Sequence, residues 1–309
     1  MSFLTIDHVS KYFPSHSGDG EVCIFKDITV KIDKGEFVTV IGHSGCGKST
    51  LLNIIAGLET PSEGGAILNG HEVTGPGLDR MVVFQNFALM PWMTVFENIA
   101  LAVRSAYPDW TVADVNAHVQ KYIKLVGLEG AEKKRPSALS GGMKQRVGLA
   151  RAFSIEPKVL LLDEPFAQID ALTRGVIQEE LVQMWNATRN TVFMVTHDVD
   201  EAILLSDRIM LMTNGPSSRI GEIVDVTIPR PRSRATIIEH ENYYKIRNHV
   251  IQFLVRHASH GSDPGPADQS APPNSDPVAI RFQSNGNGKG NLQTKQPIGK
   301  EIPSWNQPH

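Results

Sequence analysis

Residues 37–56 read Phe37-Val38-Thr39-Val40-Ile41, then Gly42-His43-Ser44-Gly45-Cys46-Gly47-Lys48-Ser49-Thr50, then Leu51-Leu52-Asn53-Ile54-Ile55-Ala56. The first five residues are all β-branched or aromatic, which predicts a short buried strand. The last run has helical apolar spacing and is closed by Gly57, a residue type that ends helices. The stretch between them fits the pattern Gly-x4-Gly-Lys-Ser/Thr. Its glycines let the backbone curl so that successive amides face phosphate oxygens, and the following helix turns its positive end toward the same anion. In such a loop Lys48 reaches the β- and γ-phosphates, and the Ser49 hydroxyl ligates Mg²⁺. Gly42, His43, Ser44, Gly45, Cys46, Gly47, Lys48, Ser49 and Thr50 are therefore candidate nucleotide contacts. His43 and Cys46 read as loop filler whose backbone matters more than their side chains.

Similar runs recur along the chain. Val159–Leu162 is a buried-strand run ending in Asp163-Glu164, and Thr191–Thr196 is another, ending in His197. In an open α/β sheet, ligands sit at the carboxyl ends of the strands. Asp163 is suited to hold Mg²⁺ there, Glu164 to polarise an attacking water, and His197 to contact a γ-phosphate. Met81–Phe84 is a further short apolar run. Thr111–Val126 carries Val115, Val119, Ile123 and Val126 at helical spacing with Thr111 as N-cap. Val176, Ile177, Leu181, Met184 and Trp185 mark one face of a later helix. This alternation predicts an α/β fold with a mostly parallel sheet, interrupted by a helical subdomain from about 86 to 156.

The chain has 309 residues, enough for one large domain with appendages, and 41% of them are apolar, enough to bury a core. Thirty Lys and Arg against 33 Asp and Glu leave a net charge of -3, which argues against nucleic acid as a partner. Cys23 and Cys46 are the two cysteines, too few for a disulfide framework. The N-terminal residues lack a signal-peptide apolar region, and no run reaches the ~20 residues of a membrane helix, so a membrane role is expected to be peripheral. From Ala258 to His309 the chain holds 14 glycines and prolines in 52 residues and few aliphatics, and is expected to be disordered.

Leu139-Ser140-Gly141-Gly142-Met143-Lys144-Gln145 places an N-cap residue type and two glycines before a helical run, a second helix start able to meet an anion. With this motif the set resembles the nucleotide-binding subunit of ABC transporters, a P-loop NTPase family, across about residues 1–225. The matching parts are the Walker A loop GHSGCGKS, the Q-loop Gln85, the signature LSGGMKQ, the Walker B strand VLLLDE, the D-loop Asp170 and the switch His197.

The resemblance implies an ATP hydrolase with ATP and Mg²⁺ as cofactors and a β-rich antiparallel N-terminal part. Glu164, His197 and Gln85 would be catalytic, and Ser49, Gln85 and Asp163 would hold the metal. Phe13 matches the aromatic that stacks on adenine. A second ABC ATPase subunit, identical or closely related, would complete each site with its Ser140, Gly141, Gly142 and Asp170. Residues 1–235 would form the ATP-binding domain, 236–257 a C-terminal helical extension carrying Tyr244, Ile246, Val250, Phe253 and Leu254, and 258–309 a disordered tail. The D-loop departs from the usual importer wording in Gln168 and Ile169, and the signature departs in Met143.

The wording around residues 75–103 and 164–174 resembles the nitrate, taurine, sulfonate, cyanate and bicarbonate branch of bacterial importers. Ile237–His257 looks most like the nitrate and cyanate members. The resemblance implies a subunit on the cytoplasmic face of the bacterial inner membrane. It would be bound to integral permease subunits through residues 86–98 and indirectly to a periplasmic or lipid-anchored substrate-binding protein. Nitrate is the first expected cargo, with bicarbonate, cyanate, taurine and alkanesulfonates behind it. A soluble ABC ATPase acting on DNA or ribosomes is the alternative; tandem cassettes or a long coiled-coil insertion, usual in those relatives, are not visible in the sequence.

Overall fold

The computed structural model describes residues 2–15, 18, 20–258, 277–283 and 292–295. Near the N-terminus, β1 (Leu4–Pro14) and β2 (Glu21–Ile32) pair antiparallel, with Leu4 opposite Ile32 and Phe13 opposite Val22. β3 (Phe37–Ile41) then leaves for a second sheet and is followed by α1 (Lys48–Ala56). The chain returns with β4 (Glu63–Leu68) and the two-residue β5 (His71–Glu72), completing a four-stranded antiparallel sheet in the order β2-β1-β4-β5.

The rest of the chain builds the second sheet and its helices. β6 (Arg80–Val83) is followed by α2 (Val95–Ala106), α3 (Val112–Leu125) and α4 (Gly141–Phe153). Then come β7 (Val159–Asp163), α5 (Ala171–Thr188), β8 (Thr191–Thr196), α6 (Val199–Leu205), β9 (Arg208–Met212) and β10 (Ile220–Asp225). The last described elements are α7 (Arg234–Ile237), α8 (Glu241–Ala258), β11 (Val278–Phe282) and β12 (Leu292–Lys295). The sheet order is β12-β11-β10-β9-β3-β8-β7-β6, and the five strands from β9 to β6 run parallel. This is the expected α/β architecture with an antiparallel β part at its N-terminal end.

Both faces of the parallel sheet are covered, which is why its strands are continuously apolar rather than alternating. Phe37 and Ile41 of β3 join the core shared with α2–α6 and α8, while Val38 and Val40 join the core shared with α1 and the antiparallel sheet. Phe37 meets Trp185 of α5 edge-on, ring centroids 5.7 Å apart. Fully burying one such side chain stabilises by about 1.5–3 kcal/mol.

The helices start where capping chemistry allows. Thr94 and Thr111 both form reciprocal capping boxes, with Glu97 and Asp114. Burial corrects one helix face and defines another. On α5 the buried set is Ile177, Gln178, Leu181, Met184 and Trp185, while Val176 is exposed. On α8 it is Asn242, Tyr243, Ile246, Val250 and Phe253, and Tyr244 is exposed. The rest of each apolar set keeps its place; a 3.6-residue period leaves adjacent positions such as Val176 and Ile177, or Tyr243 and Tyr244, competing for one face, and of these only Ile177 and Tyr243 are buried.

The expectation of disorder over 258–309 falls largely outside the described residues, but it fails at residues 278–282 and 292–295, which pair antiparallel as β11 and β12. β11 pairs in parallel with β10, Val224 opposite Ile280, and buries Ile280 and Phe282. Gly- and Pro-rich composition averages away a five-residue strand signal, and the edge of β10 supplies the hydrogen bonds that such a short strand needs.

Candidate functional site

Strand register brings the singled-out residues to one edge. Ile41 of β3 lies beside Thr196 of β8, Val195 of β8 beside Asp163 of β7, and Leu162 of β7 beside Val83 of β6. The residues that follow these strands, Gly42, His197, Glu164 and Gln85, therefore emerge together at the carboxyl end of the sheet.

The loop after β3 is forced to be tight by what lies behind it. Gly47 has φ +98°, and a Cβ there would come within 2.7 Å of Ile24 and Phe25 of β2. Lys48 is buried, and its Nζ donates to the carbonyls of Gly42 and His43, both at 2.9 Å. The Cys46 side chain is also fully buried, so it packs under the loop rather than merely filling it, and burial pushes its thiol pKa up. A protonated buried thiol is chemically inert. His43 is likewise more than filler: its ring Nε2 donates to the carbonyl of Leu254 in α8, 2.8 Å away.

Around the loop the polar side chains converge. Ser49 Oγ donates to Asp163 Oδ1 at 2.8 Å. Burial raises the Asp163 pKa, with the neighbouring Glu164 carboxylate adding to the rise and the Ser49 hydrogen bond opposing it. Glu164 Oε2 lies 3.2 Å from His197 Nδ1 and 3.5 Å from Gln85 Nε2. The Glu164 backbone is left-handed, φ 44°, and its N–H donates to Val195 at 2.9 Å. A non-glycine residue held there stores about 1–3 kcal/mol of strain, a cost typical of residues aimed by their surroundings.

The second helix start faces elsewhere. Ser140 caps α4, its Oγ accepting from the Met143 amide at 3.3 Å. Cβ atoms at Gly141 and Gly142 would meet the Gln168 carbonyl at 3.0 Å and Thr173 Cγ2 at 2.4 Å, so the glycines seat α4 against the start of α5. Asp170 caps α5, accepting from the Thr173 amide at 3.0 Å, and that hydrogen bond lowers its pKa. In the D-loop Ile169 is buried and Gln168 exposed, so the altered wording leaves the buried apolar position filled. Phe13 is partly exposed beneath the Lys11 ammonium, on the strand pair whose Ile24 and Phe25 abut Gly47.

Four residues around the site were not singled out from the sequence. Arg151 of α4 donates to the carbonyls of Phe87 and Ala88, at 3.2 and 2.8 Å, fixing the segment after Gln85. Asn98, buried, donates to Met90, Met93 and Thr94 and accepts from Met90. Asp200, in the first turn of α6, accepts from Tyr243 and Arg247 of α8. Glu201, buried, accepts from Thr196 Oγ1 at 2.7 Å and Gln178 Nε2 at 3.0 Å. The available signal was an Arg inside an apolar helix and an Asp-x-x-Glu spacing after His197, both of which also suit ordinary surface chemistry.

Burial raises the Glu201 pKa from 4.5 to about 7. Between these values the folded state binds the extra proton, so this group's contribution makes stability fall as pH rises through that window and level off above it. At about 1.4 kcal/mol per unit, this amounts to about 3 kcal/mol. Urea unfolding of Glu201→Gln should lack this part of the loss between pH 5 and 8; a slope identical to the unsubstituted protein would place the titration elsewhere.

Three comparisons bear on this arrangement. The family described as ABC transporter matches residues 25–167. The chain is 55% identical over 252 residues to the bicarbonate transport ATP-binding protein CmpC of Synechocystis sp., a match covering 82% of this chain and 38% of that protein. It is 54% identical to the nitrate import ATP-binding protein NrtC of Synechocystis sp., again over 82% of this chain and 38% of that protein. It thus spans little more than a third of the length of these relatives. Against the nitrate import ATP-binding protein NrtD of Synechococcus elongatus, identity is 48% over 261 residues, 84% of this chain and 94% of that protein. A solved dimeric post-hydrolysis state of the ATP-binding cassette MJ0796, bound to ADP and Pi, superposes with TM-score 0.65 at 29% identity, covering 73% of this chain and all of that one. A loop, acidic pair, glutamine and histidine gathered at one sheet edge, within a cassette fold and at this level of identity, show that the chain belongs to the ABC transporter ATP-binding family.

Proposed function

We propose that the chain is the ATP-hydrolysing subunit of a bacterial anion importer, with nitrate as its cargo. The observation that carries the chemistry is the convergence of Lys48, Ser49, Asp163, Glu164, Gln85 and His197 at the carboxyl ends of β3, β6, β7 and β8. The cargo rests on the nitrate import relatives. Bicarbonate is the second reading, favoured by the 55% identity to a bicarbonate transport protein.

Each residue takes a role from its geometry. The loop amides and Lys48 hold the β- and γ-phosphates, Lys48 exchanging its carbonyl partners for phosphate oxygens. Phe13 offers a flat apolar face to adenine. The Ser49 hydroxyl and Asp163 carboxylate, with the Gln85 amide oxygen, form the hard-oxygen set that suits Mg²⁺, an ion that takes one or two carboxylates plus substrate phosphates. Bound there, Mg²⁺ would neutralise developing phosphate charge. Glu164 orients a water for in-line attack on the γ-phosphorus and accepts its proton, while His197 braces Glu164 and faces the γ-phosphate.

Ser140, Gly141 and Gly142, seated on α5 at the start of α4, are offered to a second ATPase subunit, whose own signature helix completes this chain's site. ATP held between two subunits favours the closed pair, and cleavage removes the anion that holds it shut; that differential affinity can drive a partner. The partner surface is an apolar groove of about 360 Å³ lined by Leu58, Met81, Phe84, Ala88, Met90 and Leu101, with Trp92 exposed on the segment 86–98. It suits a short helix of an integral permease. Among the described residues no helix is long and apolar enough to cross a membrane. On the importer reading the chain binds the permease at the cytoplasmic face of the inner membrane, and reaches a periplasmic or lipid-anchored binding protein only through that permease.

Co-purification from membranes with an integral permease, followed by uptake assays in proteoliposomes with labelled nitrate and bicarbonate, tests this reading. ATP-dependent nitrate uptake supports it, bicarbonate uptake alone moves the cargo to the second reading, and recovery with ribosomes or DNA overturns it.

A further inference from the structure

Helix α8 touches the phosphate loop and the first turn of α6, the helix that follows His197. Near its start, Tyr243 Oη and Arg247 Nε each donate to Asp200 Oδ1 at 2.8 Å, three residues after His197. Burial and then the Asp200 hydrogen bond push the Tyr243 hydroxyl up to about 12. Near its end, the Leu254 carbonyl accepts from His43 Nε2 at 2.8 Å, inside the phosphate loop. The His43 carbonyl in turn accepts from Lys48 Nζ. The two ends lie 7–11 residues apart, about 10–17 Å of helix.

Between these contacts α8 is pinned to β10 and β11. The Phe253 ring lies so close over Gly221 that a Cβ there would be 3.0 Å away. His249 Nε2 meets Glu222 Oε2 at 2.6 Å, and the His249 ring meets Phe282 of β11 edge-on at 5.7 Å. An isolated surface helix would need none of these connections.

We propose that α8 is a strut linking the phosphate loop to the switch-histidine segment, so that nucleotide in the loop and docking of α8 stabilise each other. The strut rests on the nucleotide-site reading above. When Lys48 leaves the Gly42 and His43 carbonyls for phosphate oxygens, the His43 backbone changes partners, and the His43 ring carries that change to the last turn of α8. At the other end, Asp200 fixes α8 to the helix that directly follows His197. Reciprocity then requires that whatever loosens α8 weakens nucleotide binding by the same factor by which nucleotide tightens α8. The C-terminal extension is thus a positioning element for the site and a handle by which a second ligand or subunit can regulate it.

Hydrogen exchange of the full chain, with and without ADP and Mg²⁺, reads this coupling. Amides in 243–247 and 254–258 are expected to exchange about fivefold or more slowly with ADP bound. The double variant Tyr243→Phe, Arg247→Gln severs one end of the strut by removing both donors to Asp200 while the buried Tyr243 ring is kept in place. It should lower ADP affinity by a matching factor and abolish the ADP-dependent protection of 254–258. If that variant does not fold, the exchange pattern of the unsubstituted chain still decides. ADP binding with unchanged exchange in α8, or unchanged ADP affinity in a folded double variant, overturns the strut. Failure of ADP to bind at all overturns the nucleotide-site reading instead.

Discussion

Replacing Glu164 with glutamine is expected to cut ATP turnover by about 10²- to 10⁴-fold, the contribution of a positioned general base, while leaving ATP binding intact. The amide keeps the size of the side chain and can still meet Gln85 and His197, so the loop that holds phosphate is undisturbed. In the proposed mechanism, what is lost is the acceptor for the proton of the attacking water. That loss corresponds to about 3–5 kcal/mol of barrier, far more than the change in any surface contact. If, as proposed, the closed pair opens only after cleavage, the variant should also accumulate as an ATP-bound dimer. Phosphate release measures the first effect and size-exclusion chromatography with ATP the second. Turnover at the unsubstituted rate would remove Glu164 from the mechanism.

Lys48→Ala should weaken ATP binding by about 10²-fold or more, since each charge-assisted hydrogen bond contributes about 1.5–3 kcal/mol and the ammonium is placed to make more than one. The substitution also strips the Gly42 and His43 carbonyls of their buried donor. Part of the loss therefore comes from a looser loop, and a modest fall in thermal stability should accompany it. Titration calorimetry with ATP measures the affinity directly; an unchanged dissociation constant would sink the role assigned to Lys48.

A third result tests the glycine at the other helix start. Gly142→Val drives a side chain into Thr173, where a Cβ alone would already stand at 2.4 Å. Overpacking of this kind costs about 1–3 kcal/mol, and it moves α4 away from α5. Thermal denaturation should show the loss, and a melting temperature equal to that of the unsubstituted chain would mean that α4 and α5 are not in the contact described here.

Much of the site was legible because its members are local motifs. The strand at 37–41, the loop at 42–49 and the capped helix at 111 each carry their signal within a dozen residues. The acidic pair and His197 were legible as strand ends, and a parallel sheet brings strand ends together. Glu201 was not legible, because a glutamate one turn from a motif looks like any surface residue until Thr196 and Gln178 close around it. His43 was misjudged for the same reason: its partner, Leu254, lies 211 positions away. The strand at 278–282 was hidden by the Gly- and Pro-rich composition around it.

By itself the sequence determined the strand–loop–helix at 37–56, the two helix starts that can meet anions, and the run of motifs that marks the family, since backbone propensity, glycine freedom and capping act over short range. Only the tertiary structure decided which residues brace one another: Glu164 against His197 and Gln85, Arg151 on the segment after Gln85, and α8 between His43 and Asp200. Those contacts depend on burial and on sheet register, which join residues far apart in the chain and leave no periodic trace along it.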